Sequence, residues 1–423
     1  EITFTTSPGV PSLTITTAPS FITATTTSSG GAISSDGGSA VTARGVVWGT
    51  GPAPTSDLAT KTTDGSGTGS FVSNLTGLTQ NTLYYLRSYA TNSVGTGYGP
   101  EISFSTLQLP TVTTTAATAV SSFGARMYGV VNAHNSSTNV EIQYGLSTAY
   151  DLVLVPSQSP VQFNADVQVY VPVSGLNANT TYHYRIRATS DAGTVVGNDM
   201  TFTTPTMLVD VDANNYHTVY IGTQLWMWEN LRVTHYRDGS PINYITDNSS
   251  WSTQTVGAYT WYDNDVANKP IYGGLYNYYT TIENRNLCPT GWHVPTDAEW
   301  TTMANYVISN GYNYDGATSG NKIAKALAST SSWTSSSNIG SVGNTDYPDK
   351  RNATGFTYLP SGFRGATDGF FYIKGDQGYT WSTSQYDVSN SLHTSISYAG
   401  YTFYSDNSNK KSGFSVRCLQ GEG

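Results

Sequence analysis

Gly77-Leu-Thr-Gln-Asn-Thr-Leu-Tyr-Tyr-Leu-Arg87 recurs 98 residues later as Gly175-Leu-Asn-Ala-Asn-Thr-Thr-Tyr-His-Tyr-Arg185. The offset persists through Ala90/Ala188, Gly95/Gly193, Phe104/Phe202 and Thr106/Thr204. A fixed period near one hundred residues restricts the first half of the chain to two copies of one unit. Inside each copy, short runs alternate apolar and polar residues and are punctuated by Gly, Pro and Asn. That rhythm predicts a seven-stranded antiparallel sandwich. The expected sandwiches cover residues 8–107 and 108–205, and a third, different domain covers 206–423.

The Gly-Leu-x-x-x-Thr-x-Tyr-x-x-Arg pattern resembles the fibronectin type III domain. The resemblance implies that Tyr84 and Tyr182 are core residues whose hydroxyls tie a corner to nearby backbone. Glu1-Ile-Thr-Phe-Thr-Thr6 matches Glu101-Ile-Ser-Phe-Ser-Thr106 and Asp199-Met-Thr-Phe-Thr-Thr204, the expected last strands of the two sandwiches. Residues 1–7 therefore read as the last strand of another sandwich. Either further repeats precede it, or Ile2 and Phe4 complete a sheet in a neighbouring subunit by strand addition.

The C-terminal region is organised around Cys288-Pro-Thr-Gly-Trp-His-Val-Pro-Thr-Asp-Ala-Glu-Trp300. Thr296 and Glu299 have capping-box spacing. Trp300, Met303, Ala304, Val307 and Ile308 then form the stripe of a one-sided helix. Gly413-Phe-Ser-Val-Arg-Cys418 alternates and predicts a half-buried strand, with Phe414, Val416 and Cys418 on one side and Ser415 and Arg417 on the other. These elements hold both cysteines of the chain. A Cys288–Cys418 disulfide would tie the helix start to the closing strand and fits an oxidising compartment; the alternative is two buried thiols. Lys322–Leu327 predicts a second short helix, Ser329–Asp349 a loop, and Phe356–Leu359 and Tyr379–Ser382 two strands.

The Cys288–Trp300 motif and the Gly413–Leu419 segment resemble the Fibrobacter succinogenes major paralogous (FISUMP) domain of surface proteins in Bacteroidetes-like bacteria. So do Val219–Leu231, Tyr272-Gly-Gly-Leu-Tyr-Asn277 and Thr354-Gly-Phe-Thr-Tyr-Leu-Pro-Ser-Gly-Phe-Arg364. The resemblance implies a C-type-lectin-like α+β fold related to formylglycine-generating enzymes. Those enzymes need redox-active cysteines at the end of the domain, and this chain has one cysteine there. The scaffold is therefore expected without that activity.

Composition narrows the function classes. A net charge of −9 and only 11% charged residues leave no basic stripe for a nucleic-acid partner. No apolar run approaches the roughly 20 residues of a membrane span. The six histidines show no zinc-ligand spacing. His293 reads as a structural hydrogen-bonder, and Asp297 and Glu299 as helix-cap carboxylates. Asp210-Val-Asp-Ala-Asn214 resembles the opening of a calcium loop but lacks the Gly and Glu an EF-hand requires. A β-turn fits better there. Asp263 and Asp265 make a denser oxygen cluster; no cofactor is expected, and calcium at these two residues is the alternative.

From Tyr386 to Asn409, fifteen of twenty-four residues are Tyr, Ser, Asn or Asp, the composition of recognition surfaces. The candidate contact residues are Tyr386, Asn390, His393, Tyr398, Tyr401, Tyr404, Asp406, Asn407 and Asn409. The segment also resembles the retroelement-diversified variable region of C-type-lectin-like proteins. The chain is expected to be mainly β: two sandwiches as a stalk, and a head that binds a protein or glycan at the bacterial cell surface without catalysis. The alternative is a structural subunit that self-associates into an extracellular filament or sheath.

Overall fold

The structure, a computed structural model, describes residues 7–421. Ile2 and Phe4 lie outside the described residues. The protein is mainly β and divides into two compact units. Of the described residues, one comprises 7–116, Tyr128–Val171 and His183–Met200; the other comprises Ala117–Met127, Pro172–Tyr182 and 201–421.

The first sandwich uses strands β1 (Ser12–Ser20), β2 (Thr27–Ser35), β3 (Ala43–Gly49), β4 (Gly69–Leu75), β5 (Leu83–Thr91), β6 (Thr96–Tyr98) and β7 (Ile102–Ser105). One sheet has the order β1-β2-β4; the other runs β3-β5-β6, with β7 also on β5. Val46, Leu75, Leu86 and Ala90 are fully buried between them. The second sandwich uses β8 (Thr111–Thr118), β9 (Gly124–Asn132), β10 (Asn139–Gly145), β11 (Leu152–Leu154), β12 (Val167–Ser174), β13 (Thr181–Ser190), β14 (Gly193–Val196) and β15 (Met200–Thr203). It has one strand more than the expected seven, the short β11 on the edge of β10. Its sheets have the orders β12-β9-β8 and β11-β10-β13-β14, with β15 on β13.

The repeat extends to single hydrogen bonds. The Tyr84 hydroxyl accepts from the Thr79 N–H at 3.0 Å, and the Tyr182 hydroxyl from the Asn177 N–H at 3.0 Å. Each tyrosine stacks on the phenylalanine of its last strand, Phe104 or Phe202, at 5.7 Å between ring centroids. Thr106 and Thr204 close the same corner through the N–H of Thr82 and of Thr180. These are the core roles that the fibronectin type III resemblance implied.

The C-terminal region is loop-rich, with several short sheets. Thr218–Ile221, Gln224–Met227, Leu419–Gln420 and Trp292–His293 form one sheet in that spatial order. Gln377–Gln385, Asn390–Ser397 and Tyr404–Asn409 form an antiparallel sheet in sequence order. The principal helix is Asp297–Ser309, and its capping box is formed: Thr296 Oγ1 takes the Glu299 N–H, and Glu299 Oε2 takes the Thr296 N–H at 2.8 Å. Trp300, Met303, Ala304 and Val307 are its buried side, with Trp300 against Trp226 at 4.5 Å between centroids.

Two strand expectations change. Gly413–Leu419 is strand only at Leu419–Gln420; elsewhere it makes isolated bridges, Phe414 with Tyr276, Gly413 with Arg364 and Ser415 with Thr380. Both of its sides are buried, Ser415 and Arg417 as completely as Val416. Polar residues tolerate that only when other segments supply hydrogen-bond partners, and here three do. Phe356–Leu359 is likewise irregular, held by a bridge from Tyr358 to Ala328. Its side chains fill the core without a ladder.

Candidate functional site

The frame is set by the two cysteines. Cys288 and Cys418 are disulfide-bonded, with Cα atoms 6.0 Å apart and 130 residues of separation. Beside them His293 joins two elements: Nδ1 bonds the Gly421 carbonyl at 3.0 Å, and Nε2 bonds Glu299 Oε1 at 2.8 Å. The motifs of the sequence meet at Arg417. The guanidinium donates to Asn230 Oδ1 (2.9 Å), to the Phe356 carbonyl and to the Thr357 carbonyl (2.6 Å). Asn230 in turn donates to the Tyr272 carbonyl at 2.9 Å and to Ser415 Oγ at 3.0 Å. Gly273 has to be glycine, because a Cβ there would lie 2.7 Å from Asn230 Cβ and from the Leu231 carbonyl oxygen. Arg364 performs the same service elsewhere, donating to the carbonyls of Ile245, Thr246 and Gly369. Two buried arginines thus satisfy loop carbonyls that no regular ladder reaches.

On that frame the Tyr/Asn-rich segment divides into core and surface. Across the three-stranded sheet Trp381 pairs with His393, and His393 with Asp406. His393 points inward, 3% exposed, among Tyr379, Trp381 and Phe414 at 4.9–6.3 Å between ring centroids. It is not a contact residue, contrary to the sequence expectation. A half-polar sequence gave no sign that its strand is the middle one, covered on both faces.

Tyr386 (61% exposed), Tyr404 (50%) and Tyr401 (42%) stand at the surface. Asp406 and Asn409 are exposed as well, and Asn390, Asn407 and Tyr398 are half-buried. Tyr386, Asn390 and Asn409 gather at one end of the sheet, because Asn390 pairs with Asn409. Tyr404 marks the opposite end of the Tyr404–Asn409 strand, which is the edge of the sheet. Tyr401 belongs to a separate aromatic row, 5.6 Å from Tyr314, which is itself 5.2 Å from Tyr347.

Sequence reasoning missed Lys410 and Val388. Lys410 is 6% exposed and donates from beneath the hairpin tip to the carbonyls of Asp387 (2.9 Å) and Val388 (3.0 Å), with Nζ 5.4 Å over the Tyr278 ring. Asp387 takes the N–H groups of Ser389 and Asn390, both at 2.7 Å. Bonds from Asn390 and from the Ser389 and Asn390 amides, with Lys410 nearby, hold its carboxyl below the usual range. The tip is therefore preordered, and it holds out Tyr386 and Val388, the latter 86% exposed. The Lys-Lys pair at 410–411 inside a neutral run is the only sequence trace of this.

The calcium candidates do not converge. Asp265 Oδ1 caps a short 3₁₀ turn through the Ala267 N–H at 2.9 Å. Among the described residues no group of three or more His, Cys, Asp or Glu side chains is placed to hold a metal. At the Asp210 turn the carboxylate already accepts from the N–H groups of Asp212 and Asn214, from Asn214 Nδ2 and from the Tyr216 hydroxyl.

Five sequence segments converge on one buried network and one disulfide in this region. Residues 219–420 match the Fibrobacter succinogenes major domain. The motifs that meet at Arg417 and the Tyr386–Asn409 segment all fall within that domain. Among solved structures, the chain is similar to the sensor domain of the anti-sigma factor RsgI4 of Pseudobacteroides cellulosolvens. Identity is 20%, coverage 24% of this chain and 99% of that one, and the TM-score 0.20. It is also similar to the FN1–FN3 domains of chicken CNTN1, at 16% identity over 47% of this chain and 69% of that one, with a TM-score of 0.25. No curated protein matches it.

His393 should give the C-terminal region an acid response. Burial pushes its imidazole down to about 4 from 6.5, against the opposing pull of Asp406. The folded form then binds fewer protons than the unfolded chain between those two values. Stability is complete above pH 6.5 and declines as pH falls towards 4, by up to about 3 kcal/mol from this group. Denaturant titrations from pH 7 to 4 should show a shallower decline for His393→Phe than for the natural protein. Equal slopes would remove His393 from the account.

Proposed function

We propose that this is an extracellular bacterial surface protein whose two fibronectin type III-like sandwiches carry a C-type-lectin-like head that binds a protein or glycan by contact, without catalysis. The supporting observation is the ordered, exposed row from Tyr386 and Val388 at the hairpin tip along the edge strand to Tyr404. Rigid aromatic side chains beside short amides and hydroxyls lose little conformational entropy on binding, and hot spots are rich in such anchors. The disulfide and the arginine-held loops would let this rim vary while the frame stays fixed. Binding of the full chain to arrays of glycans and of cell-surface proteins tests the reading. A specific signal should fall at least about tenfold in Tyr386→Ala/Tyr404→Ala, the usual effect of removing a hot-spot aromatic. Uniform silence on both arrays, or a signal the double variant leaves intact, would refute it.

Among the described residues the outer edge of the Tyr404–Asn409 strand pairs with no other strand, which also favours a second reading, a subunit of an extracellular filament or sheath, since an unpaired edge can accept another strand. Ordered fibres in negative-stain images of native material would support it.

A further inference from the structure

The cavity beside the disulfide shares none of the candidate contact residues. It has a volume of about 510 Å³ and is lined by Arg237, Asn286, Leu287, Thr290, Trp292 and Val294, among others. A second hollow of about 240 Å³ meets the same Arg237, Leu287, Cys288 and Thr290. The larger one falls in the volume range of small-molecule sites, roughly 300–1,000 Å³. Its wall is fixed: the Trp292 N–H bonds the Pro289 carbonyl at 3.0 Å, the Gly421 N–H bonds the Gly291 carbonyl at 2.9 Å, and the Arg237 N–H bonds the Asn286 carbonyl at 2.8 Å.

The chemistry lies in Arg237. Nε donates to the Cys288 carbonyl and Nη2 to the Trp292 carbonyl, both at 2.7 Å. That uses the side-on fork of the guanidinium. Among the described residues no acceptor takes the end-on fork, one N–H from each terminal nitrogen. Among the described residues Arg237 forms no ion pair. His293, the other basic residue lining the cavity, has both nitrogens engaged. One available cation with two parallel donors fits a carboxylate, which accepts such a pair bidentately. A phosphate dianion would leave charge unbalanced in a protein of net charge −9. The hydroxyls of Thr290 and Thr383 and the Asn286 amide, set against Trp292 and Leu287, suit a hydroxylated body with an apolar face.

We propose that this cavity binds a monoanionic sugar acid, its carboxylate on the free fork of Arg237 and its ring against Trp292. The probes are sodium glucuronate and glucose, titrated calorimetrically into the full chain. Glucuronate should bind saturably and glucose should not. Arg237→Lys keeps the charge but loses the fork, and should weaken glucuronate at least about tenfold. Because Arg237 also braces the wall, Thr290→Phe, which fills the cavity and leaves those bonds in place, is the second variant and should abolish binding. Absence of glucuronate binding, equal binding of glucose, or binding that survives Thr290→Phe would each overturn the assignment. None of these outcomes bears on the Tyr386–Tyr404 rim, so the two readings stand or fall separately.

Discussion

Replacing Cys288 and Cys418 together by alanine should lower the stability of the C-terminal region by about 5 kcal/mol. The bond closes a loop of 130 residues, and the loop-entropy argument gives a cross-link of that span roughly this value. Two further features point the same way. The linked segments have few ladder hydrogen bonds, since Trp292–His293 and Leu419–Gln420 contribute only two residues each to their sheet. Both sulfurs are also buried, Cys288 at 1% and Cys418 at 0% exposure, so alanine loses packing as well. For a region of about this size the melting temperature should fall by about 10–20 °C. The sandwiches contain no cysteine, and a melting transition of their own would be an internal control. The double variant is a cleaner probe than reductant, because a shielded disulfide reacts only after local opening. Coincident melting curves for the variant and the natural protein would show that the cross-link does not hold the fold.

What could be read from the sequence follows the range of the interaction that fixes each element. The Tyr84 and Tyr182 corners bond backbone five residues away, and the repeat states them twice. The Thr296–Glu299 capping box closes over three residues. The Asp210 turn is made by Asp212, Asn214 and Tyr216, all within six positions. All of these were legible. Where the partner is remote, alternation misleads. Ser415 and Arg417 occupy the polar positions of an apparent half-buried strand, yet their partners are Ser361, Asn230, Phe356 and Thr357. His393 looks like one more polar residue in a Tyr/Asn run until the register sets it opposite Trp381. Lys410 looks like a solvated cation until the tip of the Tyr386–Ser389 hairpin lies over it. The Tyr386–Tyr404 rim was therefore half legible: its exposed tyrosines follow from composition, its preordering and inward histidine from pairing that composition does not encode.

Arg417 offers the sharpest test of how the loops are held. It is fully buried and among the described residues forms no ion pair; burial pushes its guanidinium down to about 9, against the opposing pull of Tyr358 and Glu229, so it still carries its charge at neutral pH. That charge is balanced by carbonyl dipoles and by the Phe356 ring, 4.4 Å from the guanidinium carbon. Replacement by methionine preserves length and apolar volume but orphans the Phe356 and Thr357 carbonyls and Asn230 Oδ1. Each buried acceptor left without a donor costs about 1–3 kcal/mol. Some relaxation is available to Asn230, whose amide keeps its bonds to Tyr272 and Ser415. The expected loss is therefore about 3–5 kcal/mol, comparable to breaking a buried charged network. Arg417→Lys should fall between the two, since one ammonium can reach some of these acceptors but cannot fork across adjacent carbonyls. Urea denaturation of the three proteins should rank them arginine, lysine, methionine. If methionine changes stability by less than about 0.5 kcal/mol, the range of an ordinary surface substitution, then the apolar cluster around Trp300 and Phe356 positions these segments unaided. The meeting of the motifs at Arg417 would then be a consequence of the fold and not a cause of it.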